Sequence, residues 1–389
     1  MLYILNLRLP TEKAHGLQIT QNCEAFAAQG LSVTLAASWR FQAPEFRDTD
    51  IWQHYGVDKN FNIRFLPSLD LLPFIPHKQL INITLHLQQI SFLVSAFFYL
   101  LFSRYDIIYT RDHFLSLLAR ITNPRTQIVY EIHQKRQGRL GRFIQSMAIR
   151  VANLAIPITD NLRQSLEREI QPQGNYHVGH DGVQEKRFRN TVPKDTARAQ
   201  LNIPDGGPII TYAGRLYTLN MDKGVTTMVR AAATIPNARV LIVGGPDGAA
   251  AKLRNIWLSL DRKNEDFFTT GQVAPDKIPS YLAASDILSV PFPWNEHFAY
   301  FASPMKIFEY MAAERPIIAS DLPSIAEVLT HQKTAILVPP SDESALAHAI
   351  RNIISDPSNA SQLAQNARRL LLDSYTWQKR AEGILSKLT

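Results

Sequence analysis

Seven consecutive residues, Ser303-Pro304-Met305-Lys306-Ile307-Phe308-Glu309, place a hydroxyl, a proline, a cation and a carboxylate within two helical turns. Ser303 suits an N-cap and Pro304 the first helical position, so the spacing predicts a helix that begins there. Its unpaired N–H groups and positive dipole end would receive a phosphate. Lys306 adds a cation in the first turn, and Glu309, three residues on, falls on roughly the same face. That face would offer amides and an ammonium to a diphosphate, and a carboxylate to the paired hydroxyls of a ribose. A capped surface helix with an exposed Lys–Glu pair fits the same residues, and the pattern alone leaves both readings open.

Two more cations follow a β-like run. Tyr212-Ala213-Gly214-Arg215 ends it, and Lys223-Gly224 comes eight residues after Arg215. In an open α/β sheet the ligand crevice lies beyond the carboxyl ends of strands. There Arg215 could grip a diphosphate bidentately and Lys223 could serve as a point charge. Such cations would stabilise a departing nucleoside diphosphate without a metal.

The elements that must position these residues alternate short apolar runs with helical stretches, the pattern of parallel sheets covered by helices. Tyr3–Leu7 reads as the first strand, followed by a loop with Pro10 and Gly16. A helix then carries Ile19, Cys23, Phe26 and Ala27 and stops at Gly30, and Leu31–Leu35 is the next strand. Further strands are expected at Asp106–Thr110, Thr126–His133 and Leu154–Ile158. A second series comprises Pro208–Gly214, Arg239–Gly244, Asp266–Thr270, Ile287–Val290, Pro316–Ser320 and Thr334–Val338. We therefore expect an α/β chain of two Rossmann-like domains, residues 1–190 and 191–372, hinged near 190–205. Residues 373–389 form an amphipathic helix expected to pack back on the N-terminal domain.

Bulk composition narrows the class. With 46% hydrophobic and 19% charged residues over 389 positions, the chain has enough apolar material for two cores. A single cysteine, Cys23, excludes a disulfide framework and a thiolate metal cluster and suits a reducing cytoplasm. The N-terminus lacks a basic region and a small-residue cleavage site, so it reads as a strand and not a signal peptide. Net charge is +7, and residues 1–190 hold 21 Lys/Arg against 15 Asp/Glu, so nearly all the excess lies there. Between Ile132 and Thr159 no acidic residue occurs, while Lys135, Arg136, Arg139, Arg142 and Arg150 do. Such a field favours an anionic partner. Residues 135–154 could meet an anionic membrane surface, as could residues 80–102, whose part Ile90–Phe102 is strongly apolar but too short to span a bilayer alone. A buried helix is the competing reading of 80–102, and a solvated basic helix face whose apolar residues pack in the core is that of 135–154. Nucleic acid is not expected, because no aromatic–basic stacking motif accompanies the charge. A dehydrogenase is disfavoured by the lack of a Gly-x-Gly-x-x-Gly turn after the first strand.

Taken in order, these runs resemble the retaining, two-Rossmann-domain (GT-B) glycosyltransferases of glycosyltransferase family 4, glycosyl transferases group 1. The similarity rests on Tyr212–Arg215, Lys223-Gly224-Val225, Leu241–Gly245, Gly271-Gln272-Val273, Tyr281–Ile287 and Phe308–Ala313 leading into Arg315–Ser320. The first half adds Leu9–Gly16, Tyr109-Thr110-Arg111, Tyr130–His133 and Asp181-Gly182-Val183. The resemblance implies two domains facing a cleft, the second binding the nucleotide sugar and the first the acceptor. It implies that Arg215 and Lys223 hold the donor diphosphate and take part in catalysis, that Glu309 binds the nucleotide ribose, and that Gly16 lets backbone approach the donor phosphates. His133 would lie near the transferred sugar as a further catalytic residue. Gly244, Val273, Ser303, Pro304, Met305 and Lys306 complete the donor-binding set. The family carries another glutamate eight residues before Glu309, and Phe301 stands there.

The reaction so implied moves a hexosyl unit from a nucleoside diphosphate sugar to an acceptor hydroxyl with retention, in envelope glycan, polysaccharide or glycolipid synthesis. The nucleotide sugar is a co-substrate, and neither cofactor nor metal is expected. The partners are that donor and a glycan or lipid-linked acceptor, and the expected location is the cytoplasm, peripheral to the inner face of the membrane where such a surface is used. A sugar-nucleotide epimerase or phosphorylase of the same architecture, and a catalytically degenerate partner subunit, remain open alternatives.

Overall fold

The computed structural model describes residues 1–11, 13–74, 81–189, 192–218 and 221–388. Glu12, Leu80 at the start of the apolar run, the expected 190/191 domain boundary and Thr389 lie outside the described residues. The chain forms two compact units, Met1–His180 with Trp377–Thr389, and Asp181–Thr376.

In the first unit, β1 (Leu2–Leu5), β2 (Thr34–Ser38), β3 (Asn62–Leu66), β4 (Ile107–Thr110), β5 (Gln127–Ile132) and β6 (Leu154–Pro157) form one sheet in the order β3-β2-β1-β4-β5-β6. All its pairings are parallel, so every connection is a crossover. The crossovers are made by α1 (Ala14–Ala28), α2 (Ile51–Tyr55), α3 (Ile81–Phe102), α4 (His113–Thr122) and α5 (Arg139–Val151), and α6 (Asp160–Glu169) follows β6. The central strands are buried on both faces and read as apolar runs. β3 differs. At the sheet edge it keeps Asn62, Arg64 and Phe65 partly or largely in solvent, so its sequence carries no such run.

Helix α1 starts at Ala14, which places Gly16 in its first turn and not in the preceding loop. A methyl group at Gly16 would collide with the Tyr55 hydroxyl and the Thr11 side chain. Tyr55 Oη both receives the Thr11 N–H (2.8 Å) and donates to the Thr11 carbonyl (3.0 Å). The glycine thus admits this clamp between α2 and the loop after β1.

The second unit repeats the plan. After α7 (Lys194–Gln200), strands β7 (Ile209–Ala213), β10 (Arg239–Val243), β11 (Phe267–Thr269), β12 (Ile287–Val290), β13 (Ile317–Ser320) and β14 (Ile336–Val338) pair in the order β11-β10-β7-β12-β13-β14. A short hairpin, β8 (Tyr217–Thr218) and β9 (Met221–Asp222), follows β7. Helices α8 (Val225–Ala233), α9 (Asp247–Leu258), α10 (Ile278–Ala283), α11 (Met305–Ala312), α12 (Pro323–Ala326), α13 (Glu343–Ser355) and α14 (Pro357–Ser374) cover the sheet. Two clusters of buried side chains form the core, and Val183 and Phe188 contribute to one of them, so residues 181–189 belong with this unit.

The last helix, α15 (Trp377–Leu385), belongs to the first unit. Trp377 is buried and its indole donates to Gln21 Oε1 (2.7 Å). Arg380, equally buried, reaches Glu131 Oε2 (3.0 Å), Asn22 Oδ1 (3.2 Å), Tyr109 Oη (3.3 Å) and the His180 carbonyl (3.0 Å).

Candidate donor site and the switch point of the first unit

Both sheets reverse strand order beside their first strand, and the carboxyl ends at that reversal are where an open α/β sheet opens a crevice. In the second unit the reversal lies between β7 and β12. Beyond β7 the chain turns at Gly214, at φ +124°, a conformation that favours glycine. The Gly214 N–H donates to the Val243 carbonyl (2.7 Å) and the Leu216 N–H to the Gly245 carbonyl (3.0 Å). Gly244, at φ +128°, lies so close to Gly214 that a side chain there would meet its backbone. The loops after β7 and β10 are thereby clamped together.

Lys306 projects into this turn. Its side chain is buried, and the ammonium lies 3.5 Å from the centre of the Tyr212 ring and 5.4 Å from that of Phe292. A side chain at Gly214 would sit 3.2 Å from Lys306 Nζ. That nitrogen has no hydrogen-bond partner among the described residues. Burial, and then the charge of Lys223, hold its pKa well below the usual lysine range, with Glu309 acting weakly the other way. Lys223 itself is lowered to about 8, by burial and then by Arg215. Lys223, half-buried, is fixed by its backbone N–H on the Leu216 carbonyl (3.2 Å), whereas Arg215 is exposed. Two desolvated ammonium groups that repel each other form a site with a deficit of negative charge.

The start of α11 differs from the expectation. The helix begins at Met305 with Pro304 as its N-cap, and Ser303 makes no cap. Ser303 Oγ instead accepts the Asp181 N–H (3.1 Å). Nor do Lys306 and Glu309 form an exposed pair. Glu309 Oε1 is held by Arg187 (3.2 Å), whose side chain is 7% exposed and whose guanidinium also donates to the Pro275 carbonyl. Val273 is half-buried against the core two residues past Gly271, which bridges to Gly244. Phe301 ends a π turn over His297–Phe301 and is half-buried beside Tyr300. Within this unit the fold therefore gathers Lys223, Lys306 and Gly244 around the β7 turn, with Glu309 one helical turn beyond Lys306.

In the first unit, a cavity of about 350 Å³ opens at the switch point, lined by residues following β1, β4 and β5, among them Asn6, His15, Arg111, His133 and Arg136. Beneath it lies Glu131, fully buried. His133 Nε2 stands 2.5 Å from Glu131 Oε1, Arg111 Nη2 2.8 Å from the same oxygen, and Arg380 Nη2 3.0 Å from Oε2, while Tyr109 donates to Oε2 as well. Burial alone would raise the Glu131 carboxyl pKa, but Arg111, Arg380 and His133 outweigh it and hold it well below the usual range. Glu131 therefore stays ionised and fixes the ring of His133 at the cavity wall. Arg111 is further tied to Tyr3 Oη (2.7 Å) and Gln18 Oε1 (2.9 Å). Neither Glu131 nor Arg380 stood out in the sequence as a site residue, nor did Arg187. Arg380 lies 249 residues from Glu131 and Glu309 122 from Arg187, and no local pattern joins either pair.

Two parallel six-stranded units with matching strand order, the last helix belonging to the first, define the GT-B fold. Solved structures bear this out. The sucrose-phosphate synthase of Thermosynechococcus elongatus superposes with a TM-score of 0.78 at 22% identity, covering 99% of this chain and 97% of that one. Anabaena HepE in complex with UDP gives 0.74 at 17% identity, covering 100% and 98%. Residues 207–356, within the second unit, match the family model described as Glycosyl transferases group 1. A curated relative, the D-inositol 3-phosphate glycosyltransferase of Rhodococcus erythropolis, is 29% identical over 157 residues, 37% of this chain and 33% of that protein. The match spans about a third of the length of the first such relatives.

Proposed function

We propose that the protein is a glycosyltransferase that moves a hexosyl unit from a nucleoside diphosphate sugar to an acceptor hydroxyl with retention. The observation that carries this reading is the buried ammonium of Lys306, without a hydrogen-bond partner among the described residues, beside Lys223 at the carboxyl end of β7. Burial disfavours the charged form of this amine, and a bound anion would supply the charge that restores it. A diphosphate fits the two ammonium groups, with Arg215 at the exposed edge. HepE, of the same fold, is described in complex with UDP, which supports a nucleoside diphosphate here.

In the reaction, Lys223, Lys306 and Arg215 take up the charge that develops on the departing diphosphate, so the step does not call on a metal. Glu309 receives the ribose hydroxyls, and Arg187 holds its carboxylate ready. Val273, Met305 and the loop at Ser303-Pro304 shape the nucleotide end. In the first unit, Gly16 permits close backbone approach and His133, oriented by Glu131, serves the transferred sugar. The leaving phosphate accepts the acceptor proton, a front-face course that needs no nucleophilic carboxylate. The acceptor is a glycan or lipid-linked saccharide of envelope synthesis, bound by the first unit at the cytoplasmic side.

The test is a thermal-shift screen with UDP, GDP and ADP, followed by turnover of the matching sugar nucleotides by wild type, Arg215→Ala and Lys223→Ala. Loss of turnover in both variants is expected, and near-normal rates in both would overturn the assignment. Phe301, together with the occupied Glu309, favours one second reading, a partner subunit that binds nucleotide sugar without transfer. Binding without turnover across an acceptor screen would establish it.

A further inference from the structure

The first unit presents apolar side chains on its outer surface in an ordered row. Along α3 the inner row Thr84, Gln88, Phe92, Ala96 and Leu100 is buried. The opposite row Ile83, Leu87, Ile90, Val94, Phe98 and Leu101 is exposed, with Ile90 at 58%, Val94 at 50% and Phe98 at 53%. Steps of three and four residues keep this row in line over the whole helix. A face this long exceeds the scattered apolar exposure of ordinary surfaces and marks an interaction site.

Charge says what it meets. α5 exposes Leu140, Phe143 and Met147 interleaved with exposed Arg139, Arg142 and Arg150. α4 packs against both α3 and α5, so the three helices form one layer. None of the three contains an Asp or Glu. Apolar side chains among arginines, on helices with no carboxylate of their own (Glu169 of α6 acts on Arg142 from outside them), complement a hydrocarbon boundary beneath anionic headgroups. A second copy of the same face would set arginines against arginines.

We propose that the α3–α5 face of the first unit docks on an anionic bilayer as an in-plane contact, with the apolar rows entering the headgroup–acyl boundary. The 22-residue α3 is long and apolar enough to cross a membrane, but it does not do so. Phe92, Ala96 and Leu100 pack with Leu2, Ile4, Ile108 and Ile128 of the sheet, and a spanning α3 would strip that core. This inference is independent of the donor chemistry assigned to the second unit.

The experiment is co-sedimentation of the full chain with phosphatidylcholine vesicles and with vesicles also containing phosphatidylglycerol, at low and high salt. Two variants accompany it, Ile90→Glu with Phe98→Glu, and Arg139→Glu with Arg142→Glu, each checked for wild-type melting. Binding to the anionic vesicles alone, weakened by salt and reduced about tenfold or more in each variant, is expected. Equal pelleting with neutral vesicles, or unaltered pelleting of both variants, overturns the proposal. Self-association abolished by the apolar substitutions, without vesicle binding, overturns it in favour of a second copy.

Discussion

Lys306 is where the side-chain chemistry is most exposed to test. Its ammonium is buried with no hydrogen-bond partner among the described residues, so replacing it removes a desolvation cost as well as a function. Lys306→Met keeps the chain volume and its packing on Tyr212 while deleting the charge. The expected outcome is a chain more stable by about 1 to 3 kcal/mol that binds nucleoside diphosphate at least tenfold more weakly, read by thermal melting and by titration. The pH dependence follows from the same pair. Lys223 is held at about 8, by burial and then by Arg215, and burial and the charge of Lys223 hold Lys306 well below the usual lysine range. A diphosphate favours the charged forms and raises both values, so binding takes up protons. Affinity should therefore fall as pH rises through about 8. Calorimetry in two buffers of different ionisation enthalpy reads the uptake, and proton-neutral binding near pH 8 would contradict it.

At the scale of elements, two devices hold the first unit together. Gly16 admits the Tyr55 clamp into the start of α1, so Gly16→Ala should cost about 1 to 3 kcal/mol. Gly16→Ala combined with Tyr55→Phe should recover part of that loss, because the colliding oxygen is gone, and urea melts of the single and double variants measure it. The second device is α15. Arg380→Met leaves Glu131 with Arg111 and His133 in a fully buried position, and a loss of about 3 to 5 kcal/mol is expected. The Glu131 carboxyl is lowered in the folded state, so its contribution is present above its unfolded value and lost as pH falls through the folded one. In the variant this acid-side protection shrinks, and the acid-unfolding midpoint should move to higher pH. An unchanged midpoint would show that Arg380 does not hold the carboxylate.

Across the whole molecule, the chain begins and ends in one unit and builds the other between, each with its own core. Ending the chain after Thr376 removes Trp377 and Arg380 from the first unit and nothing from the second. Calorimetry of such a truncation should show the first unit's transition lowered or lost, with the second unit's retained. A nucleoside diphosphate should raise only the second unit's transition, in proportion to the logarithm of its concentration over Kd. A rise confined to the first unit's transition would place the nucleotide elsewhere.

Periodicity alone determined much of this protein. Both series of parallel strands stand out because central strands, buried on two faces, must be apolar throughout, and β7, β10, β12 and β13 fall within a residue or two of where their runs predict. The glycines after β7 and β10 and the cations beside them were legible too, since a tight turn and a charge leave marks in local sequence. Edge strand β3 was not, because one wetted face imposes no run. Nor were the state and partners of the site residues. Lys306 reads as a surface cation until the fold closes Tyr212 and Phe292 around it. Ser303 reads as a cap until it accepts the Asp181 N–H, and α3 reads as either buried or interfacial until the sheet takes one row and leaves the other. Local sequence carries propensity and pattern. Burial and partnership arise from residues distant in sequence meeting in space, and tertiary structure alone decides them.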